Sequence, residues 1–228
     1  MVTVLLALSI APGIAICVFI YVKDKENKEP VWLLLLTFVA GMLSTIPAVI
    51  AQSASGISLK SLAGKSYQQV ALFAFGVVAV SEELSKFLMV RYIAYPRQAF
   101  DDPFDGIVYA VMVSMGFATL ENIGYVMQHG FATGIFRMFI SVPAHATFGI
   151  LMGYFLGLAK FNPSYKNLYI LLAVFFPVLF HGAFDYFLFI GNNLLHFAGA
   201  LVSFFIAIRL SKTAIRKHQN NSFTHFNR

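Results

Sequence analysis

Charge is what this chain has least of. Asp, Glu, Lys and Arg together make up 11% of its 228 residues, less than half the roughly 25% usual in a soluble domain. Hydrophobic residues reach 59% and the mean hydropathy is +0.76, which excludes an ordinary soluble domain and indicates an integral membrane protein. Cys17 is the single cysteine, so an intrachain disulfide and a cysteine-based zinc site are excluded. The sequence has no His-Glu-x-x-His motif, which would place two zinc ligands on one helix. It also has no Gly-x-Ser-x-Gly nucleophile turn, so Ser81 and Ser85 read as small packing residues. No tandem repeat is visible. The net charge of +6 gathers in loops and at the C-terminal end rather than in one patch, a pattern of membrane orientation and not of nucleic-acid binding.

Long apolar runs, by contrast, are plentiful. Seven can cross a hydrocarbon core of about 30 Å, over residues 2–22, 31–51, 68–92, 104–128, 132–159, 168–190 and 193–210. The predicted fold is therefore all-α, a polytopic bundle of about seven transmembrane helices. Residues 1–210 form one domain and 211–228 a polar, basic cytoplasmic tail that is expected to be poorly ordered. The first run lacks a basic segment before it and a cleavage site before the charged stretch Lys23–Glu29, so it reads as a retained span. With the N-terminus outside, twelve of the sixteen Lys and Arg fall on the inner side, from Lys23, Lys25 and Lys28 to Arg228. Only Lys60, Lys65 and Arg137 fall outside, and Lys86 is left in the membrane. That bias puts the C-terminus in the cytoplasm. Arg137 is expected to snorkel to the outer interface, and Pro143 to disturb the fifth span.

The ionisable residues within the spans are Glu82, Glu83, Lys86, Glu121, His145, His181 and Asp185. One such group is as readily an interhelical hydrogen bond as a functional residue. A set spread over four helices is poorly explained that way, because Ser, Thr or Asn would serve structure at lower desolvation cost. Glu82 and Glu83 lie four and three residues before Lys86, so the ammonium can neutralise one carboxylate and leave the other as a base for activating water. Asp185 stands one helical turn beyond His181 and can fix its tautomer, freeing the second ring nitrogen for a metal, a water or an oxyanion. Glu121-Asn122 reads as interhelical glue or as a third acidic contributor. Gly149, Gly153 and Gly157 form a small-residue face continuing from Ser141 and His145, which turns His145 toward protein. His145, His181 and one of Glu82 and Glu83 can supply three ligands to zinc and leave an open position. The same residues support a metal-free scheme, the preferred one at this point, in which a glutamate is the base and the histidines stabilise an oxyanion.

These residues occur in an order that resembles the PrsW family of bacterial intramembrane proteases. The segments are Glu82-Glu83-Leu-Ser-Lys86, Phe104–Ala110, Gly116–Asn122, His145 with Gly149, and His181-Gly-Ala-Phe-Asp185, preceded by Ala11–Ala15, Lys23-Asp24 and Glu29-Pro-Val31. The likeness runs from about Ala11 to Leu210. It implies a plasma-membrane endopeptidase that makes the first (site-1) cut in a single-pass anti-sigma factor such as RsiW. A second protease then cuts, and an extracytoplasmic-function sigma factor is released in the envelope and antimicrobial-peptide stress response. It also implies that Glu82, Glu83 and His181 are needed for activity. Similarity to the CAAX and bacteriocin-processing proteases is weaker: Lys86 stands one position before their arginine, and Ser141 stands where a Phe would precede His145. The rival reading is a non-proteolytic carrier or membrane binding protein using buried carboxylates. Against a carrier stands the lack of an internal repeat with paired interrupted helices.

Overall fold

The computed structural model describes residues 2–24, 27–57, 59–62, 64–191 and 193–226, with the side chains of residues 59, 60 and 221–226 outside that description. Among the basic residues used for orientation, Lys25 and Arg228 lie outside the described residues, as does the side chain of Lys60. Asn192, in the expected break before the last span, does too.

Apolar runs become helices because no water in a bilayer core can satisfy a bare backbone. The first helix is Val2–Lys23 and the second Val31–Ala54. Tyr67–Ala71, Leu72–Ala79, Val80–Met89 and Val90–Ala94 follow one another without a break and make up the third. The fourth is Pro103–His129, the fifth Phe131–Phe161, the sixth Pro163–Phe189 and the seventh Leu194–Phe226. No strand occurs among the described residues. Six of these helices are long and apolar enough to cross a membrane, the seventh over Leu194–Asn220. The third is set apart by Glu82, Glu83, Lys86 and Arg91 in its length.

Local signals explain the boundaries. Asp102 caps the fourth helix by accepting from the Phe104 amide at 2.7 Å, while its own amide donates to Asp105 at 2.6 Å. Gly130, at φ 83°, turns that helix directly into the fifth. Pro143 has no amide hydrogen to donate. The turn before it, Arg137–Ser141, is wound as a π-helix, which is the form the expected irregularity takes.

The fourth helix is the axis of the bundle: 89% of its membrane-length window is buried, against 22% for the first helix. Large apolar side chains such as Leu35, Ile50, Leu72 and Leu171 point outward, as a lipid-facing surface requires. Glycines let the axis be approached backbone to backbone. A Cβ at Gly153 would overlap the Gly106 carbonyl, and one at Gly41 the Val113 carbonyl, so the second, fourth and fifth helices are packed closely. Gly153→Ala should therefore lower the melting temperature clearly, by overpacking worth about 1–3 kcal/mol. Gly124→Ala, where nothing lies within 4 Å of the added carbon, should leave it unchanged or slightly higher. Thermal unfolding of the two variants in one detergent checks the contrast.

The stretch from Ser211, expected to be poorly ordered, instead continues the seventh helix to Phe226. The reason is specific polar docking. Ser211 donates to the Thr147 carbonyl at 3.3 Å, His218 to that of Tyr154 at 2.9 Å, and Gln219 to that of Lys23 at 2.6 Å.

Candidate active site

In the third helix the usual amphipathic logic is inverted. Glu82, Glu83 and Lys86 are 4%, 0% and 1% exposed, whereas Leu84 and Leu88 face outward. Their α-helical turns are bracketed by the π-helical segments Leu72–Ala79 and Val90–Ala94, a distortion often found beside functional residues. On the sixth helix, Gly182 leaves the space that the Phe75 ring occupies. The third and sixth helices therefore meet one residue away from His181.

Seven of the eight polar residues singled out from the sequence, all but Glu82, join with Arg137 in one chain of hydrogen bonds and ion pairs. Asp185 Oδ2 lies 3.3 Å from His181 Nε2, and His181 Nδ1 lies 2.7 Å from Glu83 Oε1. Lys86 Nζ donates to that same Glu83 oxygen at 2.8 Å and lies 3.2 Å from His145 Nδ1. His145 Nε2 continues to Glu121 Oε2 at 3.1 Å. Arg137 then donates to that oxygen through Nη2 at 2.6 Å and to Asn122 Oδ1 through Nε at 2.8 Å. Asn122 is anchored on the Ser9 carbonyl at 3.1 Å. The rings of His145 and His181 are 5.2 Å apart and nearly perpendicular, and Phe148 stacks on His181 at 5.0 Å. The Lys86 ammonium lies 4.0 Å from the centre of the Phe117 ring, a cation–π contact.

The two glutamates are not equivalent. Glu83 is held by Lys86 and His181. Glu82 lies farther from the ammonium, with Oε2 at 3.5 Å, and receives a hydrogen bond from Gln52 on Oε1 at 3.1 Å. Its Oε2 and the Oε2 of Glu83 are buried without a hydrogen-bond partner among the described residues. A buried carboxylate oxygen in that condition is costly unless a ligand, a water or a proton meets it. Ser81 and Ser85 spend their hydroxyls on the backbone carbonyls of Val78 and Ser81, as packing residues would.

Comparison with known proteins decides the class. Residues 29–211 match the family described as "PrsW family intramembrane metalloprotease". The chain belongs to the PrsW family. It is similar to the "Protease PrsW" of Oceanobacillus iheyensis, 37% identical over 184 residues, covering 81% of this chain and 82% of the relative. The "Protease PrsW" of Bacillus subtilis is 34% identical over 194 residues, 85% of this chain and 86% of the relative. That of Clostridioides difficile is 31% identical over 192 residues, 82% and 79%. No solved structure matches. As a PrsW-family member the chain is a membrane protease and a multi-pass protein of the bacterial membrane.

The family description speaks of a metal, and the residues present fit one. Glu82, Glu83, His145 and His181 are all buried, and each offers a ligand atom within 4.8 Å of the others. Two imidazoles with carboxylates suit a zinc-type ion. The orientation of His145 also fits. Lys86 can only donate, so His145 Nδ1 accepts its hydrogen bond while Nε2–H is held by Glu121, and an ion in the cluster would take that Nδ1 lone pair in place of Lys86. A carboxylate fixing the far nitrogen of a ligating histidine is a recurrent outer-shell device.

Two expectations change in this setting. The Nδ1 of His181, expected to face a metal, water or oxyanion, here lies 2.7 Å from Glu83, so the ring and that carboxylate would share an ion. Arg137 does not snorkel to an interface; it is 9% exposed and neutralises Glu121, so it also leaves the outer-side charge count. Gln52 was missed as well. Arg137 had a readable signal, because residues 121 and 137 stand at similar distances on either side of the Gly130 turn and so face each other across a helical hairpin. For Gln52 the sequence carried none.

Proposed function

We propose that this protease makes the site-1 cut in a single-pass anti-sigma factor of the RsiW kind, leading to release of an extracytoplasmic-function sigma factor in the envelope and antimicrobial-peptide stress response. What supports the reading is the position of the site along the sixth helix. With the N-terminus outside, the sixth helix ends outward at Phe189, so His181 lies roughly 12 Å inside that end and Asp185 roughly 6 Å, at 1.5 Å per residue. The outer half of the bundle is where a first cut, near the external end of a single span, would be made. The resemblance of the motifs, and relatives bearing the name Protease PrsW, supports the same substrate class.

In this reading Glu82 is the general base. Its Oε2, which has no hydrogen-bond partner among the described residues, takes the proton of the attacking water, and Gln52 holds the other oxygen in place. Glu83, His145 and His181 would hold a zinc-type ion, which when bound supplies Lewis acidity toward the scissile carbonyl and acidifies water. This replaces the metal-free preference, because the family is described as one of metalloproteases and the four buried donors lie within 4.8 Å of one another. Lys86 fixes Glu83 and brings positive charge beside the site. Asp185 and Glu121 orient the two imidazoles. The surrounding helices exclude bulk water, which strengthens each of these interactions.

Purified enzyme and an anti-sigma factor co-reconstituted in liposomes test the proposal. One cut at the external end of the substrate span is expected, abolished by a zinc chelator and restored by added zinc. An uncut anti-sigma factor, beside efficient cleavage of an unrelated single-span protein, would overturn the substrate assignment. Full activity in metal-free enzyme would overturn the metal.

A further inference from the structure

A second acidic cluster lies apart from the active site, at the end of the bundle where the first helix finishes and the fourth begins. Asp24, Glu29 and Asp105 are all buried, at 5%, 3% and 1% exposure, and each offers an oxygen within 4.8 Å of the others. Carboxylates this close and this dry repel one another unless something positive lies among them. The cations nearby give their ammonium hydrogens to backbone carbonyls. Lys28 donates its ammonium hydrogens to the carbonyls of Tyr21 and Asp24. Lys160 donates to the carbonyls of Tyr95 and Arg97, at 2.8 and 3.0 Å. Among the described residues, no ion pair reaches any of the three carboxylates.

The hydrogen bonding points the same way. Glu29 receives the Tyr109 hydroxyl on Oε2, and Asp105 receives the Asp102 amide on Oδ2. Each of these contacts occupies one oxygen of its carboxylate. The other oxygens, Glu29 Oε1 and Asp105 Oδ1, are buried without a hydrogen-bond partner among the described residues, and so is Asp24 Oδ2. Tyr109 is itself fully buried.

From this convergence of unpartnered, buried carboxylate oxygens we propose a second cation site, formed by Asp24, Glu29 and Asp105, that takes a hard divalent ion such as calcium, magnesium or manganese. An all-oxygen, anionic donor set selects this class over zinc, and water completes the coordination. The site ties the end of the first helix, the connection to the second and the start of the fourth into one unit. It is structural, and it lies on different elements from the histidine-containing cluster. Protons are the competitor. With no ion present, burial foremost and the neighbouring carboxylates next push Glu29 up to about 10, and burial pushes Asp24 up to about 6.

The test uses full-length protein in detergent, stripped with chelator, in a His145→Ala background that weakens the active-site donor set. Manganese is titrated at neutral pH and free ion is read by electron paramagnetic resonance, with calcium and magnesium as competitors. One manganese per chain is expected, displaced by at least one competitor, and a higher melting temperature with the ion bound. Glu29→Gln with Asp105→Asn should lower the affinity at least tenfold. Should that variant not fold, the stoichiometry and competition in the His145→Ala protein decide alone. Absence of stoichiometric binding, with stabilisation on acidification only, would overturn the proposal and leave protons in the cluster. Undiminished binding in a folded Glu29→Gln/Asp105→Asn variant would also overturn it.

Discussion

Replacing Glu82 by glutamine is expected to lower the turnover rate by a factor of about 10²–10⁴, the usual contribution of a positioned general base, while leaving the protein as stable as the wild type. The side chain keeps its shape, and its carbonyl can still accept the Gln52 hydrogen bond now on Oε1. What disappears is the ability of Oε2 to take a proton. Glu83→Gln should behave differently. Glu83 is the near partner of Lys86, at 2.8 Å, and of His181, at 2.7 Å, so its neutralisation removes activity and lowers the melting temperature together. Turnover and thermal unfolding measured on both variants separate the roles. Wild-type turnover in Glu82→Gln, with a stable but inactive Glu83→Gln, would reverse the assignment.

The second large effect is expected at Arg137. Arg137→Met leaves Glu121 partly buried beside His145 with its closest cation gone. Removing one member of a buried pair typically costs about 3–5 kcal/mol, mostly the penalty of the charge left behind. Activity should fall too, because His145 is oriented through the same Glu121 oxygen that Arg137 holds. A double-mutant cycle distinguishes this from loss of packing. Arg137→Met with Glu121→Gln should be more stable than Arg137→Met alone, since no uncompensated carboxylate remains. Arg137→Lys should recover part of the stability and less of the activity, because one ammonium cannot reproduce the two-nitrogen contact to Glu121 and Asn122. Equal losses in the single and double variants would show that Arg137 acts by volume alone.

These expectations also mark what could be read without coordinates. The helices were legible because a bilayer permits so few alternatives, and apolar length alone located their bounds to within a few residues, except at the end of the seventh, which runs on to Phe226. The convergence of Glu82, Glu83, His145 and His181 was legible because ionised groups in spans need partners, and the glycine face at Gly149, Gly153 and Gly157 predicted one close approach. The glycine contact on the other side, Gly41 with the Val113 backbone, was not, since a lone glycine has no period to read. Gln52 escaped for a different reason. A neutral amide near a helix end costs little wherever it points, so composition does not flag it. The inequality of the two glutamates depends on differences of under an ångström in their distances to Lys86, which no spacing rule resolves.

The docked C-terminal stretch has a consequence for biosynthesis. The Gln219 amide reaches the Lys23 carbonyl across 196 residues of sequence. At about 5–20 residues per second, a ribosome needs roughly 10–40 s to travel from one to the other. The C-terminal end of the first helix is therefore made long before its distal partner exists. Through that interval its last carbonyls rely on Lys28, which donates to Tyr21 and Asp24 from only a few residues away and emerges almost at once. The local lysine serves the nascent chain, and the distant glutamine completes the closure once the seventh helix has been made.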